Sequence, residues 1–287
     1  MNHGSTATTP VPTVGLGLKA RHYDEALASA AAGLWFEVHP ENYMVDGGPR
    51  LKWLEAIRRE KPLSLHGVGL SLGGDEAPDP EHLARLKTLA DRFEPFLMSE
   101  HLAWSRGGGV YHPDLLPFPR TRQLLKQVSD NVARAQDALG RALLIENPSL
   151  YLDLKGHEMG EVDFLVALAA ATGCGLLLDL NNVHVSANNL GADPRDYLAA
   201  VPADLIGEIH LAGFAPDPVH AEALLIDTHD APVSDAVWSL YAETLMRIGP
   251  RPTLIERDDN IPDFAELIAE RDQAVAIMEA CHVQCAA

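Results

Sequence analysis

The chain has 287 residues, 47% of them hydrophobic, and sets 22 Lys and Arg against 41 Asp and Glu, for a formal charge of −19. That balance argues against nucleic acid as a partner, since nucleic-acid binders need a basic patch to displace phosphate counterions. It favours a neutral or basic partner, or bound metal whose charge carboxylates neutralise.

No apolar run approaches the roughly 20 residues of a membrane span. Residues 1–12 lack the basic start and apolar middle of a secretory signal. The sequence therefore predicts a cytoplasmic protein with no membrane partner and a flexible tail over 1–12.

In chain order, the first strand is predicted over 14–18 and a helix over 23–32. Gly15 and Gly17 hint at a dinucleotide loop, but the third glycine is missing. Glycines there are read as leaving room for bulky neighbours. Strand 34–38 leads into His39-Pro40-Glu41, and a helix over 49–59 opens on Pro49, where a missing N–H costs nothing. Strand 62–66 ends at His66, followed by a glycine-rich loop to Gly74, read as a mobile lip or an ordinary loop, and a helix over 80–92. Strand 96–101 ends in Glu100-His101, and the glycines at 107–109 read as another loop before a helix over 121–139. Glu146 closes strand 142–146, ahead of a helix over 161–171. Asp179 closes strand 176–179, ahead of a loop and a helix over 194–200. His210 closes strand 205–210, ahead of a long insertion and a helix over 234–248. Glu256 closes strand 253–256, ahead of a helix over 263–279, with 282–287 as a C-terminal tail.

Alternating strands and helices with near-continuous apolar strands predict a parallel sheet covered on both faces. The count of eight, with polar residues ending strands around the whole set, selects a single α/β domain, a (β/α)8 TIM barrel over 13–281. Its active end is then the C-terminal ends of the strands. There the candidate metal ligands are His66, His101, Glu146, Asp179, His210 and Glu256, with His184, Asp227 and His229 added from loops. Asp227 and His229 are read as projecting to one side of an extended segment. These five histidines and four carboxylates over-supply a single ion and suit two or three, with Glu146 bridging. Imidazole and carboxylate without thiolate point to iron, manganese or zinc. His22, His82, His112, His157 and His220 are read as surface or supporting residues. Cys174 reads as a small buried residue, and Cys281 and Cys285 carry no assignment.

Several segments together resemble one family. They are Glu37-Val38-His39-Pro40-Glu41-Asn42-Tyr43, Ser64-Leu65-His66-Gly67, Ser99-Glu100-His101, Glu146-Asn147-Pro148, Asp179-Leu180-Asn181-Asn182-Val183-His184, Glu208-Ile209-His210, Asp227-Thr228-His229 and Glu256-Arg257-Asp258. The chain resembles the multinuclear non-heme iron-dependent oxidative enzymes (MNIO) over nearly its whole length. The resemblance implies a xylose-isomerase-like barrel holding two or three iron ions (Fe2+/Fe3+). Glu146, Asp179, His210 and Glu256 would hold one; His66, His101 and bridging Glu146 a second; His184, Asp227 and His229 a third. It further implies O2 as co-substrate, a cysteine-containing ribosomally made precursor peptide as substrate, and a partner protein that presents the peptide. Asn147, Asn181 and Asp258 are the candidate catalytic or orienting neighbours.

Two other classes remain beside it. A metal-dependent hydrolase or sugar isomerase would use the same barrel, although an isomerase would want a lysine near its metals and none of these strand ends supplies one. A non-catalytic metal- or peptide-binding protein would leave its peptide unchanged.

Overall fold

In the computed structural model, which describes residues 13–286, eight short parallel strands close into a barrel. The barrel strands are β1 (Val14–Gly17), β2 (Phe36–Val38), β3 (Leu63–Gly67), β4 (Leu97–His101), β7 (Leu144–Glu146), β8 (Gly175–Asp179), β9 (Ile206–Leu211) and β12 (Thr253–Ile255). Each pairs with the next, and β12 returns to β1, with Val14 opposite Thr253. Two antiparallel hairpins, β5 (Trp104–Gly107) with β6 (Val110–Leu116) and β10 (Ala215–Asp217) with β11 (Ala221–Ile226), stand on the C-terminal side of β4 and β9. The expected tail over 1–12 lies outside the described residues.

The helices are α1 (Tyr23–Ala28), α2 (Pro49–Glu60), α3 (Pro80–Phe93), α4 (Arg122–Leu139), α5 (Glu161–Thr172), α6 (Leu180–Leu190), α7 (Pro194–Ala200), α8 (Asp235–Ile248) and α9 (Phe264–Ala286). Side-chain oxygens of Asp79, Thr121, Asp193 and Ser234 accept the first free amides of α3, α4, α7 and α8, which satisfies donors that have no partner within the helix. Leu51, Leu54 and Ile57 of α2, and Val128, Val132 and Ala135 of α4, recur every three or four residues and are fully buried against the strands. Gly15 sits where a Cβ would come within 2.5 Å of the Trp35 ring. Trp35 is wholly buried, edge-on to Phe96 at 5.1 Å. The room reserved by that glycine is therefore used.

The structure corrects four local expectations. The stretch after Asp179 is a helix, α6, rather than a loop: Asp179 caps it by accepting from Asn182 N at 2.6 Å, an arrangement masked in sequence by the asparagines of the segment. The expected loop at 107–109 is the turn of the β5–β6 hairpin, with Gly108 and Gly109 at positive φ. Helix α1 stops at Ala28, four residues short of the expected end. Helix α9 runs through the expected tail to Ala286, since no Gly or Pro interrupts it after Asp263. No helix among the described residues is long and apolar enough to cross a membrane.

Candidate metal centre

Successive strand side chains alternate between the barrel interior and its helical coat. The inward positions at the C-terminal ends of the strands carry Glu37, Ser64, His66, Ser99, Glu146, Asp179, Glu208 and His210, all buried, with buried Glu256 just past β12. His66 Nε2 lies 3.3 Å from His101 Nε2, and Glu146 Oε2 lies 3.2 Å from the first and 3.1 Å from the second. Metal–ligand bonds of about 2.1 Å place neighbouring ligand atoms roughly 3.0–3.4 Å apart. The triangle therefore has the size of one face of a coordination shell. His101 Nδ1 donates to Gly67 O at 3.0 Å, which leaves Nε2 as the lone-pair nitrogen.

Glu146, Asp179 and His210 converge as a second set of ligand atoms, and His66, His210 and Glu256 as a third. Glu146 Oε2 and Asp179 Oδ2 are buried and accept no hydrogen bond, although buried carboxylate oxygens ordinarily do. That donor set fits the implied cations. Burial pushes the Glu146 carboxyl up, but His101 and His66 outweigh it and hold it at about 2. Burial also works against a proton on His66, yet Glu146 and Glu37 raise it to about 10. Asp179 is pushed upward by burial and by Glu146. A field so dominated by carboxylates draws protons or metal cations, which neutralise charges otherwise costly to bury.

Asp227 and His229 meet at 2.7 Å, but not on an extended segment: His229 has φ 49°, and its backbone is held by Gly213 O and by Asp258 N. His229 also faces Glu256 at 3.5 Å and Asp258 at 3.4 Å. His184 rides on α6, half-buried, with its ring 4.9 Å from Phe214.

The neighbours sort into two kinds. Asn147 is 2% exposed, and its amide is used entirely on the Asp179 backbone: it donates to Asp179 O at 3.1 Å and accepts from Asp179 N at 2.8 Å. Asn181 is fully buried and donates to Asp227 Oδ1 at 2.7 Å, while Asn182 donates to Glu146 Oε1 at 3.2 Å. Of the two roles expected for Asn147 and Asn181, their hydrogen bonds are those of orienting groups, although Asn181 Oδ1 is buried without a partner. Asp258 differs, for it lines the open cleft. It accepts from Lys19 Nζ at 2.7 Å and faces His39 Nε2 at 3.7 Å.

Sequence reasoning missed Lys19, His39, Glu37 and Glu208 as members of the cluster. Lys19 lies two residues past β1 and corrects the reading that no strand end offers a lysine to the site. His39 groups with Glu256 and Asp258. The signal that would have found the others is the i, i+2 alternation: Glu37-x-His39, Ser64-x-His66, Ser99-x-His101 and Glu208-x-His210 all follow it.

His22, expected as a surface or supporting residue, is buried against Phe264. Cys174 and Cys281 are buried as well. The glycine-rich loop after His66 is pinned rather than free. Val68 N donates to Glu41 at 3.2 Å, Leu70 N to Glu100 at 3.3 Å, and Gly73 N to Ala103 O at 2.8 Å.

The cluster opens into a cleft of about 350 Å³ lined by His101, Glu146, Asp227, His229, Glu256 and Asp258, with Tyr111 and Leu115 of β6 at its rim. A closed parallel barrel with this polar mouth is the architecture of the xylose-isomerase-like TIM barrels. Such a barrel from Mycobacterium smegmatis, solved with magnesium, superposes with TM-score 0.59 at 16% identity, covering 91% of this chain and 87% of that one. Endonuclease IV from Thermus thermophilus gives 0.58 at 18%, covering 95% and 100%, and D-psicose 3-epimerase from Clostridium cellulolyticum gives 0.59 at 12%, covering 94% and 99%. At these identities the likeness is one of fold.

Residues 13–279 match the family described as RiPP precursor modification enzyme MbnB/TglH/ChrH, and the chain belongs to that family. Proteins described as UPF0276 are similar throughout: one from Caulobacter vibrioides is 67% identical, covering 93% of this chain and 95% of its own length. Another, from Chromobacterium violaceum, is 49% identical, covering 94% and 96%. Membership makes this chain one of a group of enzymes that modify precursor peptides.

Proposed function

We propose that the protein is a multinuclear iron enzyme that uses O2 to modify cysteine residues of a ribosomally made precursor peptide. The observation that carries the metal part is the His66–His101–Glu146 triangle, whose ligand atoms face one another at coordination spacing with the His101 tautomer set by Gly67. Family membership supplies the peptide. Glu146, Asp179, His210 and Glu256 would hold one iron, and His66, His101 and Glu146 a second. Asp227 and His229 are offered for a third, with His184 completing it by resemblance alone.

Bound iron would supply a Lewis acid for a thiolate and a one-electron couple for O2. The chain's own contribution is to fix the ligands and admit the peptide through the cleft. Asp258, open to that cleft and kept ionised by Lys19, His39 and His229, is offered as the charged group that orients an incoming peptide. A partner protein that presents the peptide belongs to the same reading.

The test is anaerobic loading with Fe2+, metal analysis, and then O2 uptake and peptide mass with a cysteine-bearing precursor from the gene neighbourhood. Two or three irons, O2 uptake and a mass change support the reading. Zinc or manganese with no O2 uptake would favour the hydrolase or sugar-isomerase class, for which Lys19 beside Asp258 is the specific observation. Metal and peptide binding with unchanged peptide mass would favour a non-catalytic role.

A further inference from the structure

His210 differs from His39, His66 and His101 in how its ring is turned, and shares with His229 an Nδ1 that faces Glu256. His39 and His101 turn Nδ1 to backbone carbonyls, at 3.1 Å from His66 O and 3.0 Å from Gly67 O, and His66 Nδ1 lies 2.8 Å from Ser99 Oγ. All three thereby present Nε2 to the cluster. His210 is turned the other way. Its Nδ1 lies 3.1 Å from Glu256 Oε2, while Nε2 points back into the barrel, 3.4 Å from Glu37 Oε1 and 3.6 Å from Glu208 Oε1.

The two nitrogens diverge on the ring, so one ion cannot take both. A metal shared by His210 and Glu256 must use Nδ1, and Nε2 then carries the proton. In a residue with no solvent exposure, that N–H needs an acceptor. Nε2 has no hydrogen-bond partner as it stands; Glu37 Oε1 lies nearer to it, at 3.4 Å, than Glu208 does, and Ser64 Oγ fixes the other Glu37 oxygen by donating at 2.8 Å. Glu208 has no exposure, and neither of its oxygens accepts a hydrogen bond. It lies beside the same N–H.

We propose that Glu37, with Glu208 beside it, is the positioning pair that holds His210 Nε2–H, so that His210 meets the metal centre through Nδ1. The pair orients the ring and raises the basicity of the ligating nitrogen, as acceptors behind metal-bound histidines do. This rests on the metal-centre reading above and extends it to two residues that touch no substrate.

The test uses the full chain with Zn2+ as a redox-silent probe. A crystal structure of the zinc-loaded protein should show His210 Nδ1 bonded to metal and Nε2 within hydrogen-bonding distance of Glu37. Chelator competition should show zinc affinity falling about 10- to 100-fold in Glu37→Leu, with Glu37→Gln, which keeps an acceptor, restoring most of it. Glu208→Leu should weaken binding in the same direction. Nε2 ligation, with metal held between Glu37 and Glu208, would overturn the proposal, as would unchanged affinity in Glu37→Leu and Glu208→Leu. A wild-type protein that binds no zinc, iron or manganese would bring down the metal-centre reading itself. A wild-type protein that binds metal through Nε2 would sink only the role of the pair.

Discussion

Replacing Asn147 by alanine tests the idea that it is a clasp rather than a reactant. Its side chain makes two hydrogen bonds to the Asp179 backbone, at 2.8 and 3.1 Å, in a site 2% exposed. Neutral hydrogen bonds contribute about 1 kcal/mol each, and a buried N–H left without a partner costs about 1–3 kcal/mol. Water reaches the freed Asp179 groups poorly, so Asn147→Ala should lose about 2–4 kcal/mol. Urea unfolding of the metal-free protein reads this directly, provided the m-value stays constant. Asn147→Asp separates the two bonds: it keeps an acceptor for Asp179 N but sets a carboxylate against Asp179 O. It should be at least as damaging at neutral pH. Because Asp179 is a candidate ligand, both variants should also bind less metal. A loss under about 0.5 kcal/mol, well below the lower bound from the hydrogen-bond arithmetic, with normal metal content, would refute the clasp.

Other expectations follow from the same geometry. Zinc at about 1,000 times its dissociation constant should stabilise the fold by about 4 kcal/mol, seen as a concentration-dependent rise in Tm; a flat Tm contradicts a metal centre. His101→Ala should remove one metal equivalent and spare the fold, and His184→Ala should lower metal content only if His184 holds a third ion; elemental analysis decides both. Gly15→Ala drives a methyl into the buried Trp35 ring and should cost about 1–3 kcal/mol, read by urea midpoint. His22 is held below its ordinary value of 6.5 by burial and then by Arg21, with Pro262, Glu25 and Asp263 opposing. Above pH 6.5 both folded and unfolded states carry a neutral ring. As pH falls below that value the unfolded chain takes up the proton first, so stability drops. His22→Leu should flatten that acid limb of the unfolding midpoint, and an unchanged limb would assign it elsewhere.

The barrel was legible because its strands are apolar runs closed by ligand-type residues, and that signal needs no tertiary context. Helix α6 was not: its start depends on Asp179 serving at once as strand end and helix cap, and Asn181, Asn182, Asn188 and Asn189 lower its intrinsic helicity. The hairpins escaped because β6 is mostly exposed, so no buried face imposes an alternation. Within the site, residues at the last strand position stood out. Glu37 and Glu208, one alternation earlier, looked like ordinary charges inside apolar strands, and only closure of the barrel sets them behind His210. His184 is a separate case: its residue type and spacing suit a ligand, but the helix that carries it, α6, was not expected.

The pairing of β1 with β12 carries a kinetic consequence. Lys19 and Asp258, 239 residues apart, meet across that seam. Contacts so distant in sequence are slow to form, because the entropy of closing the intervening loop is lost before they contribute. During synthesis, the His66–His101–Glu146 face can assemble from contiguous chain, while Glu256 and Asp258 arrive only with the last strand. The order in which the centre becomes complete is thus written into the order of the strands, and metal captured early would find a half-walled site facing solvent.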